Sequence, residues 1–233
     1  EGNEYVNTKE FAEIVSFSDN YFVIVSRAGA ELKNLTYSVE SIYEFGSETV
    51  GTVTVNRLYS RFNSSVSYIK PELVITEDSG SGYSMFSEIF KGLCSVESAF
   101  GKDKVFNKLL SALSEYSYVY VIVDGAAFGS CVERVSGLLS DRVKLFTPES
   151  FEFMLLNTDL VRPNVDYAKL VETYDYCDTK MYISWERYYA ELLKAVSFAR
   201  LHVVYKKAVL CSIYMREDVL RNMKGMLSDI DWG

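Results

Sequence analysis

The chain has 233 residues, 48% hydrophobic and 15% aromatic, with a net charge of −8 at neutral pH. That length and apolar content support a sizeable core and exclude wholesale disorder. The acidic balance excludes a broad basic face for coating nucleic acid, no apolar run reaches the ~18 residues that span a bilayer, and no signal-peptide pattern opens the chain.

Residues 1–70 read as an α/β segment without clean boundaries. "NYFVIVSR" (20–27) is a compact strand ending in Arg27, and "NLTYSVESIYEF" (34–45) mixes β-formers with polar residues. "ETVGTVTVNRLY" (48–59) alternates in part, and Gly29, Gly46 and Gly51 punctuate the stretch.

From Pro71 the pattern changes. "PELVITE" is a strand, "SMFSEIFKGL" has helical spacing, "CSVESAFG" is a short strand and "KVFNKLLSALSEY" an amphipathic helix. "YVYVIVDG" (118–125) is the most strand-like run, "GSCVERVSGLLSD" reads as helix, "RVKLF" as strand and "ESFEFMLLN" as helix. Strands alternating with helices imply a mostly parallel, Rossmann-like sheet with helices on both faces, over residues 71–160. Residues 161–233 read as a helical region, with long helices expected over "SWERYYAELLKAVSFARLHVVYKKAVL" and "EDVLRNMKGMLSDI".

Cys94, Cys131, Cys177 and Cys211 are widely spaced with no CxxC pair, which reads as reduced core thiols and a cytoplasmic location. The single His202 excludes a His-rich zinc site and a Ser-His-Asp triad.

The strand ends carry the chemistry. In open parallel sheets, ligands bind beyond the carboxyl ends of the strands. Glu77 and Asp78 end the first strand of the parallel unit in "LVITEDSGSGYS", and Asp124 ends the third. Clustered carboxylates suit a divalent cation such as Mg2+ or Mn2+, with a third acid supplied by Glu149 or Glu152. Alternatively, Asp78 and Ser79 cap the following helix, and Gly80 and Gly82 serve only the turn. The same loop lacks the Lys-Ser/Thr ending of a Walker A phosphate cradle. In "GKDK", Lys102 and Lys104 stand at a helix start against the dipole, which suits anion binding beside the acids or simple solvation.

These pieces resemble a Toprim domain. A glutamate follows the first strand ("LVITED"), a glycine the second ("SAFGK") and an aspartate the third ("VIVDG"). The fold occurs in primases, topoisomerases and the overcoming-lysogenization-defect nucleases. The resemblance implies that Glu77 is a general acid/base or metal ligand, that Asp124 binds the metal, and that Lys102 neutralises phosphate. The family's Asp-x-Asp is here Asp124-Gly125-Ala126, so one ligand is missing, and Glu149 is the expected substitute. "DGAAFG", "PESFEFMLL" and "SWERYYAELL" are also similar to stretches of uncharacterised Firmicutes and mobile-element proteins, in which a P-loop ATPase region precedes these segments. The resemblance therefore implies a metal-dependent nuclease or phosphoryl-transfer domain acting on nucleic acid, and an ATPase part upstream of Glu1. Its alternatives are a non-catalytic interaction module with a partner protein and the effector half of a larger ATPase-linked machine.

Overall fold

A computed structural model of the chain describes residues 5–6, 8–20, 22–25, 38–46, 51–59, 68–177, 179–182, 184–201 and 204–233. Arg27, Gly29 and His202 lie outside them.

Near the N-terminus, helix α1 (Lys9–Phe17) starts where the Thr8 hydroxyl accepts the Phe11 amide at 3.1 Å. Strands β1 (Tyr43–Gly46) and β2 (Thr54–Arg57) then form an antiparallel ribbon. The strand expected over 20–27 is not formed in its described part: Phe22–Val25 have no regular structure and Val23 is 91% exposed. Apolar, β-branched composition does not hold an extended segment without a ladder to satisfy its backbone.

The parallel unit follows the expected order. It contains β3 (Leu73–Thr76), α2 (Ser81–Ile89), β4 (Ser95–Ser98), α3 (Lys102–Ala112), β5 (Val119–Ile122), β6 (Val143–Phe146) and α4 (Phe151–Leu156). The four strands run parallel in the order β4-β3-β5-β6, with Thr76 opposite Ser98 on one side and Ile122 on the other. Because side chains alternate across a strand, the sheet has two apolar faces. Leu73, Ile75, Val119, Val121, Val143 and Leu145 pack with Val105 and Leu109 of α3. Val74, Tyr120 and Ile122 join the opposite core with Met85 and Phe86 of α2 and Met154 and Leu155 of α4. The molecule is thus α/β, with a four-stranded parallel sheet between helical layers.

The C-terminal region completes one of those layers. Helices α5 (Trp185–Val196) and α6 (Glu217–Met226) place Tyr188, Tyr189, Leu193, Val219 and Met223 in the same core as Val74 and Tyr120. The single long helix expected through Leu210 is shorter. It passes at Val196 into a π-turn over Ser197–Leu201, and residues 204–206 are non-helical. Ser197 is the physical reason: its buried hydroxyl bonds back to the Leu193 carbonyl at 2.5 Å and to the Tyr214 hydroxyl at 2.6 Å. Such back-bonding competes with the helical ladder and bends it. The chain beyond turns back toward the sheet.

Candidate active site at the carboxyl edge of the sheet

The sheet order has a switch point: β3 leads outward to β4 on one side, and the chain resumes with β5 on the other. Two acids stand on either side of it. The Glu77 amide donates to the Ile122 carbonyl at 3.0 Å and its carbonyl accepts the Gly101 amide at 2.8 Å, so its backbone is tied to both neighbouring strand ends. Gly101 adopts φ +116°, a conformation for which glycine is suited, and it opens α3. Glu77 Oε2 accepts the Asp124 amide at 3.1 Å, which joins the two acids across the switch point.

Asp124 is fixed from the other side. Its Oδ1 accepts the Phe151 amide at 2.9 Å, at the start of α4, and its carbonyl accepts the amides of Ala127 and Phe128. Gly125 is needed for this turn because a Cβ there would come within 2.3 Å of Val39 Cγ1 and 2.8 Å of the Pro148 carbonyl oxygen. Ala126 is buried and donates its amide to the Glu149 carbonyl.

The remaining expected residues divide. Lys102 donates from Nζ to the Ala127 carbonyl at 3.0 Å, and its charge reaches Glu77. Asp78 is turned to its own loop, where Oδ2 accepts the Gly80 and Gly82 amides at 3.1 Å each. Glu149 accepts from the Ser38 hydroxyl and, at 3.2 Å, from the Val39 amide. It therefore clasps the N-terminal segment instead of joining Glu77 and Asp124.

Three other residues complete the edge. Glu152, in the first turn of α4, is fully buried; its Oε1 accepts the Tyr205 hydroxyl at 2.9 Å, and its Oε2 has no hydrogen-bond donor. Glu186, in the first turn of α5, is ion-paired with Lys207. Lys207 arrives on the strap that follows the π-turn. The Ser81 amide donates to the Lys207 carbonyl at 3.0 Å, and the Ser81 hydroxyl faces the Lys206 and Lys207 carbonyls at 2.8 Å. A Cβ at Gly80 would stand 2.5 Å from that Lys207 oxygen. The glycine-serine loop is thus a seat for the chain's own carbonyls, and the Ser81 amide and hydroxyl are used there.

Sequence reasoning weighed Glu152 only as an alternative third acid and missed Glu186 and Lys207. Glu186 looks like any acid in a helix first turn, and "YKKAVL" carries no signal that its backbone returns to residue 81.

Electrostatics follow from the burial. Glu77's pKa is pushed from the usual 4.5 to about 7, chiefly by burial; the Asp124 amide, Lys102 and Lys207 pull it down, while Glu186 pushes it up. Asp124 is raised well above its ordinary value by burial, then by repulsion from Glu77, Glu186 and Glu152. Burial also raises Glu152, against the pull of Lys207. For Lys207, burial works against the charge, but Glu152, Glu186 and Asp124 outweigh it and raise the pKa.

The donor set is the hard-oxygen chemistry that a divalent cation takes, and the orphaned Glu152 oxygen invites a ligand. The spacing does not fit one as it stands: among the described residues, no three His, Cys, Asp or Glu side chains are placed to hold a metal ion. Lys207 lowers the pKa of Asp124 and Glu152, and Lys102 and Lys207 both lower that of Glu77. No helix of the described residues is long and apolar enough to cross a membrane. Comparison with family models, with curated proteins and with solved structures found no match.

Proposed function

We propose that this acidic edge is a Toprim-type phosphoryl-transfer site, which cleaves phosphodiester bonds of nucleic acid in the presence of magnesium or manganese. The observation that carries the reading is the joining of Glu77 and Asp124 across the switch point of a parallel sheet, where ligands of such sheets bind. Glu77, with a pKa raised to about 7, has the proton affinity of a general acid or base at neutral pH. Lys102, held beside it, supplies positive charge for a phosphate. With a net charge of −8, the chain engages nucleic acid locally, without a coating surface. In the fuller form of the reading, an ATPase region or partner protein of a mobile-element system delivers the substrate.

The test is direct. Purified protein with Mg2+ or Mn2+ is expected to nick or degrade single-stranded DNA, duplex DNA or RNA, and chelation or Glu77→Gln to abolish the cleavage. No cleavage of any of the three substrates with either metal overturns the reading. A non-catalytic interaction module is favoured by one observation: the second Toprim aspartate is replaced by buried Ala126. In that case a protein or nucleic-acid partner binds equally well to the wild type and to Glu77→Gln.

A further inference from the structure

At the same carboxyl edge, the turn from β4 into α3 holds an aromatic residue in a conformation that aromatics rarely adopt. Phe100 has φ +58°, in the left-handed region, and it is 68% exposed. Each property costs stability: the backbone because a Cβ crowds the following carbonyl there, the ring because apolar surface stays in water. Glycine would make the same turn without either cost. The backbone nevertheless holds Phe100 in place from both sides. Ala99 donates its amide to the Thr76 carbonyl and Gly101 to the Glu77 carbonyl, both at 2.8 Å. The Phe100 amide itself donates to the Ser98 hydroxyl oxygen at 2.9 Å, and that hydroxyl donates to the Asp78 carbonyl at 2.7 Å. Strain that its surroundings over-determine in this way collects at functional sites. Positive charge follows at once in the chain. Lys102 and Lys104 stand in the first turn of α3, Lys104 exposed, while Asp103 between them has its Oδ1 3.8 Å from the Cys131 thiol.

We propose that Phe100 is a stacking platform for an unpaired base, and that the nucleic acid engaged at this edge is single-stranded. The proposal rests on the phosphoryl-transfer reading above and names the substrate class of the same site. A flat, exposed ring offers a π-face to any base, and lysines beside it meet the phosphates that flank that base. The bases of a duplex are already stacked on their neighbours, so reaching the ring would cost their unstacking and unpairing. The next residue, Gly101, is bonded to the Glu77 backbone, so a strand held on the ring is anchored beside that acid. Phe100 is thus a positioning residue, and its strained backbone keeps the ring in solvent where a base can reach it.

The test uses the whole chain, without added metal, and a short oligothymidylate carrying one fluorescent aminopurine, whose emission falls when it stacks. Wild type, Phe100→Trp, Phe100→Leu and Phe100→Gly are compared, with the same oligonucleotide annealed to its complement as the duplex control. Wild type and Phe100→Trp are expected to bind the single strand and quench the aminopurine, and to bind the duplex about tenfold more weakly. Phe100→Leu and Phe100→Gly are expected to lose about tenfold in affinity together with the quench. Phe100→Gly should also melt at or above the wild-type temperature, because it relieves the backbone and removes exposed apolar surface. Leucine keeps an apolar side chain without a flat face, so a leucine variant that binds like wild type makes the contact apolar and overturns the platform. Absence of binding by wild type, equal binding of single strand and duplex, or a lowered melting temperature in Phe100→Gly overturns it as well. Cleavage is a separate readout. Metal-dependent cleavage untouched by Phe100→Gly removes the platform and leaves the phosphoryl-transfer reading; ring-dependent binding of single strands with no cleavage under Mg2+ or Mn2+ does the reverse.

Discussion

Glu77 pairs its carboxylate with a backbone amide and yet holds its proton more tightly than an exposed glutamate, because burial outweighs that bond. The folded state therefore binds a proton that the unfolded state has released between pH 4.5 and about 7. Stability from this group is fully present below the unfolded value of 4.5, falls as pH rises through about 7, and levels off above it. A raised acid thus destabilises the alkaline side, by at most about 3 kcal/mol for a shift of this size. Glu77→Gln keeps an oxygen for the Asp124 amide and removes the charge. Its melting temperature is expected to exceed wild type by several degrees at pH 8. The gap should close toward pH 4. Melts of both proteins across that range check the sign, and a constant gap would assign the effect to packing instead of charge.

Between elements, the strap shows how the site is assembled from parts distant in sequence. Tyr205 supplies the donor on Glu152 Oε1, and the other oxygen has none. Tyr205→Phe fills the same volume but leaves both oxygens of a buried carboxylate unpartnered. The expected cost is about 1–3 kcal/mol, read as a lower urea midpoint with an unchanged slope. This arrangement also marks where sequence reading stops. β3 and β5 are visible as continuous apolar runs, and the acids at their ends are visible because strand direction alone brings those ends to one edge. The pairing of Glu77 with Asp124 is thus a consequence of parallel order. Asp78 and Glu149 were equally good acids by position, and only the structure shows them bonded to the loop amides and to Ser38. Glu186 and Lys207 depend on a helix ending at Ser197 and on a strap settling over Gly80, long-range contacts that leave no periodic trace. The apolar run at 22–25 misled for the opposite reason, because local β-propensity was present without a described ladder.

Across the whole molecule, the sheet and the C-terminal helices share one core, although the sequence marks a change of pattern near residue 161. Tyr188, Tyr189, Leu193, Tyr214, Val219 and Met223 are buried with Val74, Tyr120 and Ile122 on one face of the sheet. The C-terminal end is also bonded back to the start of the parallel unit: the Ile69 amide donates to the Asp229 carbonyl and the Asp231 amide to the Ile69 carbonyl, both at 2.9 Å. The Tyr120 hydroxyl donates to the Ser228 carbonyl at 2.6 Å, across the same face. Residues 71–160 alone keep α2 and α4 on that face of the sheet but would expose the apolar surface on which Tyr188, Tyr189, Leu193, Tyr214, Val219 and Met223 pack. An exposed face of that size is a site of collapse or association rather than a stable surface. The 71–160 fragment is therefore expected to lack a cooperative melt, to bind a hydrophobic dye, and to show fast amide exchange in β3 and β5. The whole chain should melt in a transition that includes both α5 and β5, with slow exchange in each. Hydrogen exchange on the whole chain and calorimetry on the fragment are the measurements. A fragment that melts sharply with protected strands would mean that the helices only cover a core able to stand without them, and the strap over the acids would then be an appendage instead of part of the fold.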